Sequence, residues 1–336
     1  MSTTMRAAVC AAPGGPEVLQ IRELPVPEVR DGWSLVRVEG AGLNRSELRT
    51  RQGHSPSVTF PRVLGIECVG TVADSTDPRL PAGSTVAAVM GEMGRAFDGG
   101  YAQYALLPND LLMPVTTTLP WDVLAALPET CLTARGALDT LGIAPAGGGR
   151  LLIRGATSSV GLAATQIAAA HGIETAATTR SKDKAQALKA AGADHVLLDD
   201  AAPLLDTVRA LWPEGPDYVL DLVGAATALD SLRLVRPGGT VCVAGSLSGW
   251  LIHDFEPIAM IPTGTRLTAF HSDTLKGTGG RDTLQRIIDD VEAGIHHPHI
   301  DRVFALDDIA AAHRRMEADL ATGKTVVLPW ARTTGT

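Results

Sequence analysis

Leu151-Leu152-Ile153-Arg154-Gly155-Ala156-Thr157-Ser158-Ser159-Val160-Gly161 is an apolar run that passes into a turn of tiny residues. From Val160 onward, small apolar residues recur at Ala163, Ala164, Ile167 and Ala168, the spacing of one helix face. Strand, tight turn and helix therefore follow one another. Such a turn lets backbone N–H groups approach a phosphate, and the positive end of the helix dipole faces the same anion. A dinucleotide is the natural guest. Ser158 and Ser159 stand where a G-x-G-x-x-G turn would carry glycine, and a small-residue turn before a helix is as often a plain connector. The rest of the chain decides between the two.

Downstream, strands are expected at 174–179, 195–198, 218–223 and 240–244, with helices at 182–191, 202–211 and 226–235 between them. A sixth strand, 266–270, follows a long Pro-containing loop. This alternation predicts an α/β fold, a doubly wound parallel sheet of Rossmann type with helices on both faces. Upstream, residues 5–119 read as short strands (6–10, 35–39, 69–73, 85–89) broken by Pro and Gly, which makes a β-rich first domain. Residues 44–49 read as one helical turn in a loop, residues 121–142 as helical around Pro128, and Ala146-Gly147-Gly148-Gly149 as the turn into the opening strand. The C-terminal part carries a helix with Leu284, Ile287, Ile288 and Val291 on one face, a strand at 303–306, a helix through 316–320 and a last strand at 325–328.

A chain of 336 residues suggests about two domains. Hydrophobic content of 45% with 35 glycines fits a well-packed α/β protein rich in tight turns. The net charge of −8 argues against a nucleic-acid partner or an anionic membrane surface. No apolar run is long enough to span a membrane and no signal-peptide pattern opens the chain, so a cytoplasmic location is expected. Cys10, Cys68, Cys131 and Cys242 form no C-x-x-C pair and are expected to be small buried hydrophobes.

Gly40-Ala41-Gly42-Leu43-Asn44, Leu64-Gly65-Ile66-Glu67, Gly99-Gly100-Tyr101-Ala102-Gln103-Tyr104, Leu132-Thr133-Ala134 and Thr322-Gly323-Lys324, together with the opening stretch, resemble successive landmarks of the medium-chain dehydrogenase/reductase superfamily. The branch they are most similar to is the zinc-independent quinone oxidoreductases, and the resemblance covers essentially the whole chain in order. It implies a β-rich, GroES-like catalytic domain built from residues 1–123 and 272–336, flanking an NADPH-binding Rossmann domain at 124–271, with the active site in the cleft between them. Zinc-dependent relatives place ligands where this chain has Asn44, Ile66 and Glu129. An apolar Ile cannot ligate a metal and Asn is a poor zinc ligand, so no metal site is expected.

NAD enzymes usually carry an acidic residue at the end of the second Rossmann strand, whereas a 2′-phosphate needs cationic and hydroxyl donors. Here that place reads Thr178-Thr179-Arg180-Ser181-Lys182, then Lys184, and NADPH is the expected cofactor. Arg180, Ser181 and Lys184 would form the phosphate pocket beside Thr179; otherwise they are a solvated helix start capped by Ser181. Ser158, Ser159 and Val160 would offer backbone N–H groups to the pyrophosphate, the serine hydroxyls either adding bonds or capping the helix. Gly224, Gly245 and Ser246 end the fourth and fifth strands, as cofactor contacts or plain turn residues. The resemblance adds Thr133 as a cofactor contact, and Lys324 as a basic residue directed at the cofactor phosphates unless it is an ordinary helix C-terminal lysine.

Without metal or flavin, the chemistry left is direct hydride transfer to an electrophilic carbon. A quinone or α,β-unsaturated carbonyl accepts hydride readily and needs mainly positioning and a donor for the developing oxyanion. Asn44 is the candidate for that donor or for a nicotinamide-ribose contact; its alternative role is to stabilise its own turn. Some relatives carry a tyrosine where this chain has Arg49, which points to a different or anionic substrate or to a surface residue. Tyr101 and Tyr104 line the cleft or pack in a strand. His296, His297 and His299 fit no compact ligand set and are read as a surface loop, and His253 and His271 have no assigned role. A homodimer through the sixth-strand edge is expected. The alternatives are an enoyl-thioester or alkenal reductase, and a catalytically silent NADPH-binding regulatory protein.

Overall fold

The computed structural model describes residues 3–143, 147–199, 204–249, 251–275 and 278–332. Residues 202 and 203 of the expected third helix, and Ala146 of the expected glycine turn, lie outside these ranges. The chain forms two compact units, one of Met1–Leu132, Ser272–Gly294 and Ile300–Thr336, the other of Thr133–His271 and Ile295–His299.

The second unit is built on six parallel strands in the spatial order His195–Leu198, Glu174–Thr179, Arg150–Arg154, Tyr218–Asp221, Thr240–Val243, Arg266–Ala269. Numbered along the chain this is 3-2-1-4-5-6, the dinucleotide-binding order. Parallel strands read as near-continuous apolar runs because both faces are covered. On one face Leu152, Ala176, Val219 and Val241 pack against Leu204, Val208 and Trp212 of one helical segment and Leu232 and Leu234 of another. Alternation turns Leu151, Ile153, Ala177 and Leu220, all buried, to the opposite face, where the helix Ser159–Ala170 buries Ala163, Ala164 and Ala168. Strand order reverses at Arg150–Arg154, so the crevice of such a sheet opens at the carboxyl end of that strand, where the opening turn lies.

The first unit is β-rich. Its 7-stranded sheet runs Ile300–Ala305, Lys324–Leu328, Trp33–Gly42, Glu67–Ser75, Thr85–Val89, Met113–Pro114, with Tyr104–Pro108 also paired to Trp33–Gly42. A second sheet joins Leu19–Pro25, Thr4–Cys10 and Arg62–Val63. The C-terminal strand pairs antiparallel with Trp33–Gly42, Val326 opposite Gly42, and the Leu43 N–H donates to the Thr325 carbonyl at 2.9 Å. That pairing delivers Lys324 to the Asn44 turn.

Several elements differ in their limits from the sequence-based expectation. The fourth Rossmann strand stops at Asp221, because the Asp221 carboxylate accepts from the Val223 and Gly224 N–H groups, both at 2.9 Å, and folds them into a turn. The helix expected over 121–142 is two, Trp121–Ala125 and Pro128–Thr140, since Pro128 has no N–H to continue the first. The segment 182–191 divides into a 3-10 turn, Lys182–Lys184, and the helix Ala185–Ala190. The last helix is Ile309–Glu317 and ends before Leu320, with Asp319 at φ +55° just past it.

Candidate active site and nucleotide-binding site

Asn44 ends a long strand and caps the short helix Arg45–Arg51 from an extended conformation, φ −131° and ψ 156°. Its backbone N–H donates to Glu47 Oε2 at 2.9 Å, the reciprocal arrangement of a capping box. The side-chain amide turns the other way. Nδ2 donates to Glu67 Oε1 at 2.9 Å, and Oδ1 accepts from Lys324 Nζ at 2.7 Å. Lys324 Nζ also donates to Glu67 Oε1 at 2.5 Å, while Glu67 Oε2 accepts the Glu129 N–H at 2.9 Å. At the places where the resemblance expects zinc-dependent relatives to carry ligands, this chain presents the Asn44 amide bonded to Glu67, the apolar Ile66, and Glu129, whose N–H bonds Glu67 and whose Oε1 accepts the Ser272 hydroxyl at 2.8 Å.

Lys324 is 2% exposed and Glu67 1%, so their ion pair is fully desolvated. Gly42 makes room for it: a Cβ there would lie 2.3 Å from both Glu67 Oε1 and Lys324 Cε. Lys324 opens a strand, so the helix C-terminal reading is wrong, and two of its three ammonium donors are spent inside the unit. Among the described residues no group of three or more His, Cys, Asp or Glu side chains could hold a metal.

Glu47, equally buried, accepts the Ile66 N–H at 3.0 Å and Asn44 Nδ2 at 3.4 Å as well as the Asn44 N–H. Burial outweighs these bonds and pushes its carboxyl up to about 7. The four cysteines are free and buried, and burial raises the Cys68 and Cys131 thiols to about 12, which rules out a resting thiolate at neutral pH. Tyr101 is fully buried and stacks edge-on against His313 with ring centroids 5.7 Å apart, while Tyr104 is half-buried and stacks edge-on against Trp330. The Tyr101–His313 pair, with Arg51 and Glu317 beside it, was invisible locally, because the partners come from opposite ends of the chain. Arg49 is partly buried, and burial together with the Arg45 charge lowers its pKa.

In the second unit the opening turn is closed by its own serine. Ser158 Oγ donates to the Gly155 carbonyl at 2.8 Å and accepts the Gly161 N–H at 3.2 Å, so this hydroxyl is a helix cap. Gly161 cannot be replaced, since a Cβ would lie 2.5 Å from Ala156 Cα. Ser159 and Val160 supply the next N–H groups of the first helical turn. Substituting Ser158→Ala is expected to cost about 1 kcal/mol of stability from the lost cap. A thermal melt matching the wild type within error would show the cap to be dispensable.

At the end of the second strand, Thr179 Oγ1 donates to the Ser181 carbonyl and accepts the Ser181 N–H, each at 3.1 Å. The Thr179 hydroxyl therefore shapes a turn that leaves Arg180 exposed at its tip, with Ser181 and Lys184 part-exposed next to it. Gly224, at φ +96°, faces Gly245, whose carbonyl would lie 2.6 Å from a Cβ at Gly224; Ser246 follows in the same turn. Ser158, Ser159, Val160, Thr179, Arg180, Ser181, Lys184, Gly224, Gly245 and Ser246 all follow the carboxyl ends of neighbouring strands of this sheet. Thr133 is buried in the helix Pro128–Thr140.

Two residues missed by sequence reasoning organise this edge. Arg154 is buried and donates to Asp199 at 3.0 Å and Asp230 at 2.6 Å. Asp221 accepts four bonds, from the Val223 and Gly224 N–H groups and the Thr227 and Ser231 hydroxyls. Of the histidines, His297 and His299 are exposed, but His296 is 6% exposed and burial lowers its pKa to about 4, which corrects the surface-loop reading for that residue.

Residues 30–117 match the alcohol dehydrogenase GroES-like domain and residues 191–327 the zinc-binding dehydrogenase domain. The quinone oxidoreductase of Homo sapiens is 27% identical over 340 residues, which span 96% of this chain and 98% of the relative. Among solved structures, an NAD-dependent alcohol dehydrogenase is 30% identical with a TM-score of 0.84, the match covering 96% of this chain and 99% of that one. A mycobacterial protein complexed with NADPH is 27% identical with a TM-score of 0.86, covering 97% of this chain and 100% of that one. The chain belongs to the medium-chain dehydrogenase/reductase superfamily, in its quinone oxidoreductase-like branch. It is thus a member of an oxidoreductase family that binds a nicotinamide cofactor. Among the described residues no helix is long and apolar enough to cross a membrane.

Proposed function

We propose that this protein is an NADPH-dependent, zinc-free oxidoreductase that passes a hydride to a quinone or an α,β-unsaturated carbonyl. The observation that carries this reading is the Lys324 ammonium bonded to Asn44 and Glu67: the charge a zinc ion would supply is already present as a side chain. Ile66 in a ligand position supports the same conclusion. NADPH, when bound, supplies the hydride. Ser159 and Val160 N–H groups would hold its pyrophosphate, with Gly224, Gly245, Ser246 and Thr133 nearby, and Arg180, Ser181 and Lys184 its 2′-phosphate. Asn44, fixed through its amide by Lys324 and Glu67, would orient the ribose or the substrate oxygen, and the Lys324 cation favours charge developing on that oxygen.

The cofactor choice rests on Arg180 rather than on relatives, since one similar structure is NAD-dependent and another holds NADPH. Free buried cysteines favour a reducing, cytoplasmic setting. The net charge of −8 disfavours nucleic acid and anionic membranes as partners. The strand Arg266–Ala269 is a sheet edge, with Ile258 93% exposed and Leu251 71% exposed in the preceding segment, and a homodimer would cover them. A monomer mass in solution would contradict that assembly.

The deciding assay follows NADPH oxidation against 1,4-benzoquinone, an alkenal and an enoyl thioester, with and without a strong chelator. Turnover of a quinone or enone that survives chelation is expected. Preference for the thioester would favour the enoyl reductase alternative. NADPH binding with no turnover of any acceptor would favour a regulatory protein.

A further inference from the structure

We propose that Glu47 is a positioning residue that works with its proton on, and that loss of this proton disengages Asn44. The inference rests on the reductase reading for its effect on turnover, but not for the proton itself.

The charges of the site do not balance otherwise. Glu47, Glu67 and Lys324 are 1%, 1% and 2% exposed. Lys324 bonds Glu67 and Asn44, and no bond from it to Glu47 accompanies them. One ammonium therefore neutralises one carboxylate. A second bare carboxylate would leave a net negative charge on buried side chains, a costly state that protonation removes.

The surroundings offer little compensation. Glu47 accepts hydrogen bonds only from neutral donors, the Asn44 and Ile66 N–H groups and Asn44 Nδ2; the Lys324 charge also favours its ionised form, but burial outweighs all of these. The Tyr101 phenol, fully buried, has no hydrogen-bond partner among the described residues, and burial above all, then the charges of Glu47 and Glu67, pushes its pKa up. Arg51, which also acts on Tyr101, is paired with Glu317. Cys68 and Cys131, which feel the Glu67 charge, are neutral thiols.

Glu47 holds Asn44 by its backbone and, more weakly, by its amide, while Lys324 and Glu67 hold the other end of that amide. An ionised Glu47 competes with Glu67 for Lys324 and for Asn44 Nδ2. The geometry of the Asn44 amide then depends on one proton. Burial raises the carboxyl from its usual 4.5 to about 7, so the stabilising protonated form is complete below about pH 4.5 and is lost as pH rises through about 7.

The test compares wild type with Glu47→Gln, whose amide carbonyl can accept the Ile66 N–H and Asn44 Nδ2 bonds that Oε1 takes now, at the loss of the Asn44 N–H bond to Oε2, while its charge stays off. Two pH profiles are read, Tm without ligand and kcat and KM for quinone reduction by NADPH. His296 and His313, kept neutral by burial, make stability rise with pH below about 6.5 in both proteins, so the informative quantity is the difference. The Tm of wild type relative to E47Q should fall from about pH 5 to about pH 8, and wild-type kcat should drop about tenfold between about pH 6 and about pH 8. In E47Q, whatever its absolute rate, the drop in kcat should be absent over that range. A merely structural Glu47 would move Tm in the variant but leave the wild-type pH slopes in place.

A kcat drop that persists in E47Q, or a Tm difference between the two proteins that does not change across this range, would overturn the proposal. If Tm behaves as expected while no acceptor is turned over, the reductase reading fails and the Glu47 proton stands. Should E47Q not fold, infrared spectra of 13C-Glu-labelled wild type decide: a protonated carboxyl stretch that titrates near neutrality supports the proposal, and its absence at about pH 6 refutes it.

Discussion

Replacing Lys324 by methionine is expected to destabilise the first unit by about 3–5 kcal/mol and to abolish NADPH-dependent turnover. The loss exceeds that of any surface ion pair because Glu67 would remain buried with its charge uncompensated, keeping only the Asn44 amide and the Glu129 N–H. Methionine fills the space of the lysine stem, so a cavity is not the cause. The double variant K324M/E67Q should recover part of the stability, since no bare carboxylate is left, but no activity, since the cation beside Asn44 is still missing. Urea unfolding of the four members of this cycle gives the coupling energy directly. If K324M unfolds within about 1 kcal/mol of wild type, the pair contributes little, and a cation essential to the site is the wrong description.

This burial also marks how far the sequence could be read. The alternating half was legible because short apolar runs, glycine turns and amphipathic helices announce themselves locally; the strands Glu174–Thr179 and His195–Leu198 have the limits the pattern predicts. Asp221 shows where local reading stops. Its last two partners, Thr227 and Ser231, lie downstream in a helical segment, and nothing at position 221 marks it as the centre of a turn. Asn44 was legible as a landmark, but its partners were not, because Lys324 reaches it across 280 residues through strand pairing. Lys324 therefore looked like an exposed base aimed at a ligand. His296 was hidden for a related reason: Gln166 clamps the backbone of His297 from both sides, at 2.7 and 2.8 Å, and the loop is pinned beside the helix Ser159–Ala170.

Arg180→Ala is expected to raise the KM for NADPH by about tenfold or more and to leave the KM for NADH nearly unchanged. A charge-assisted bond from a guanidinium to a phosphate is worth about 1.5–3 kcal/mol, or one to two decades of affinity. Arg180 is exposed, so salt screening places the effect at the lower end, and Ser181 and Lys184 would retain part of the contact. Selectivity rather than affinity is the informative quantity. The Thr179 hydroxyl ties both ends of the turn to Ser181, so the backbone that presents position 180 should survive the substitution. Asp199, whose N–H bonds the Thr179 carbonyl at 2.9 Å, is held by Arg154 at 3.0 Å. Raising ionic strength should therefore weaken NADPH binding by the wild type more than by R180A and should scarcely affect NADH in either. Equal losses for the two cofactors would mean that Arg180 supports the turn instead of reading the 2′-phosphate, and an unchanged NADPH affinity would remove it from the site.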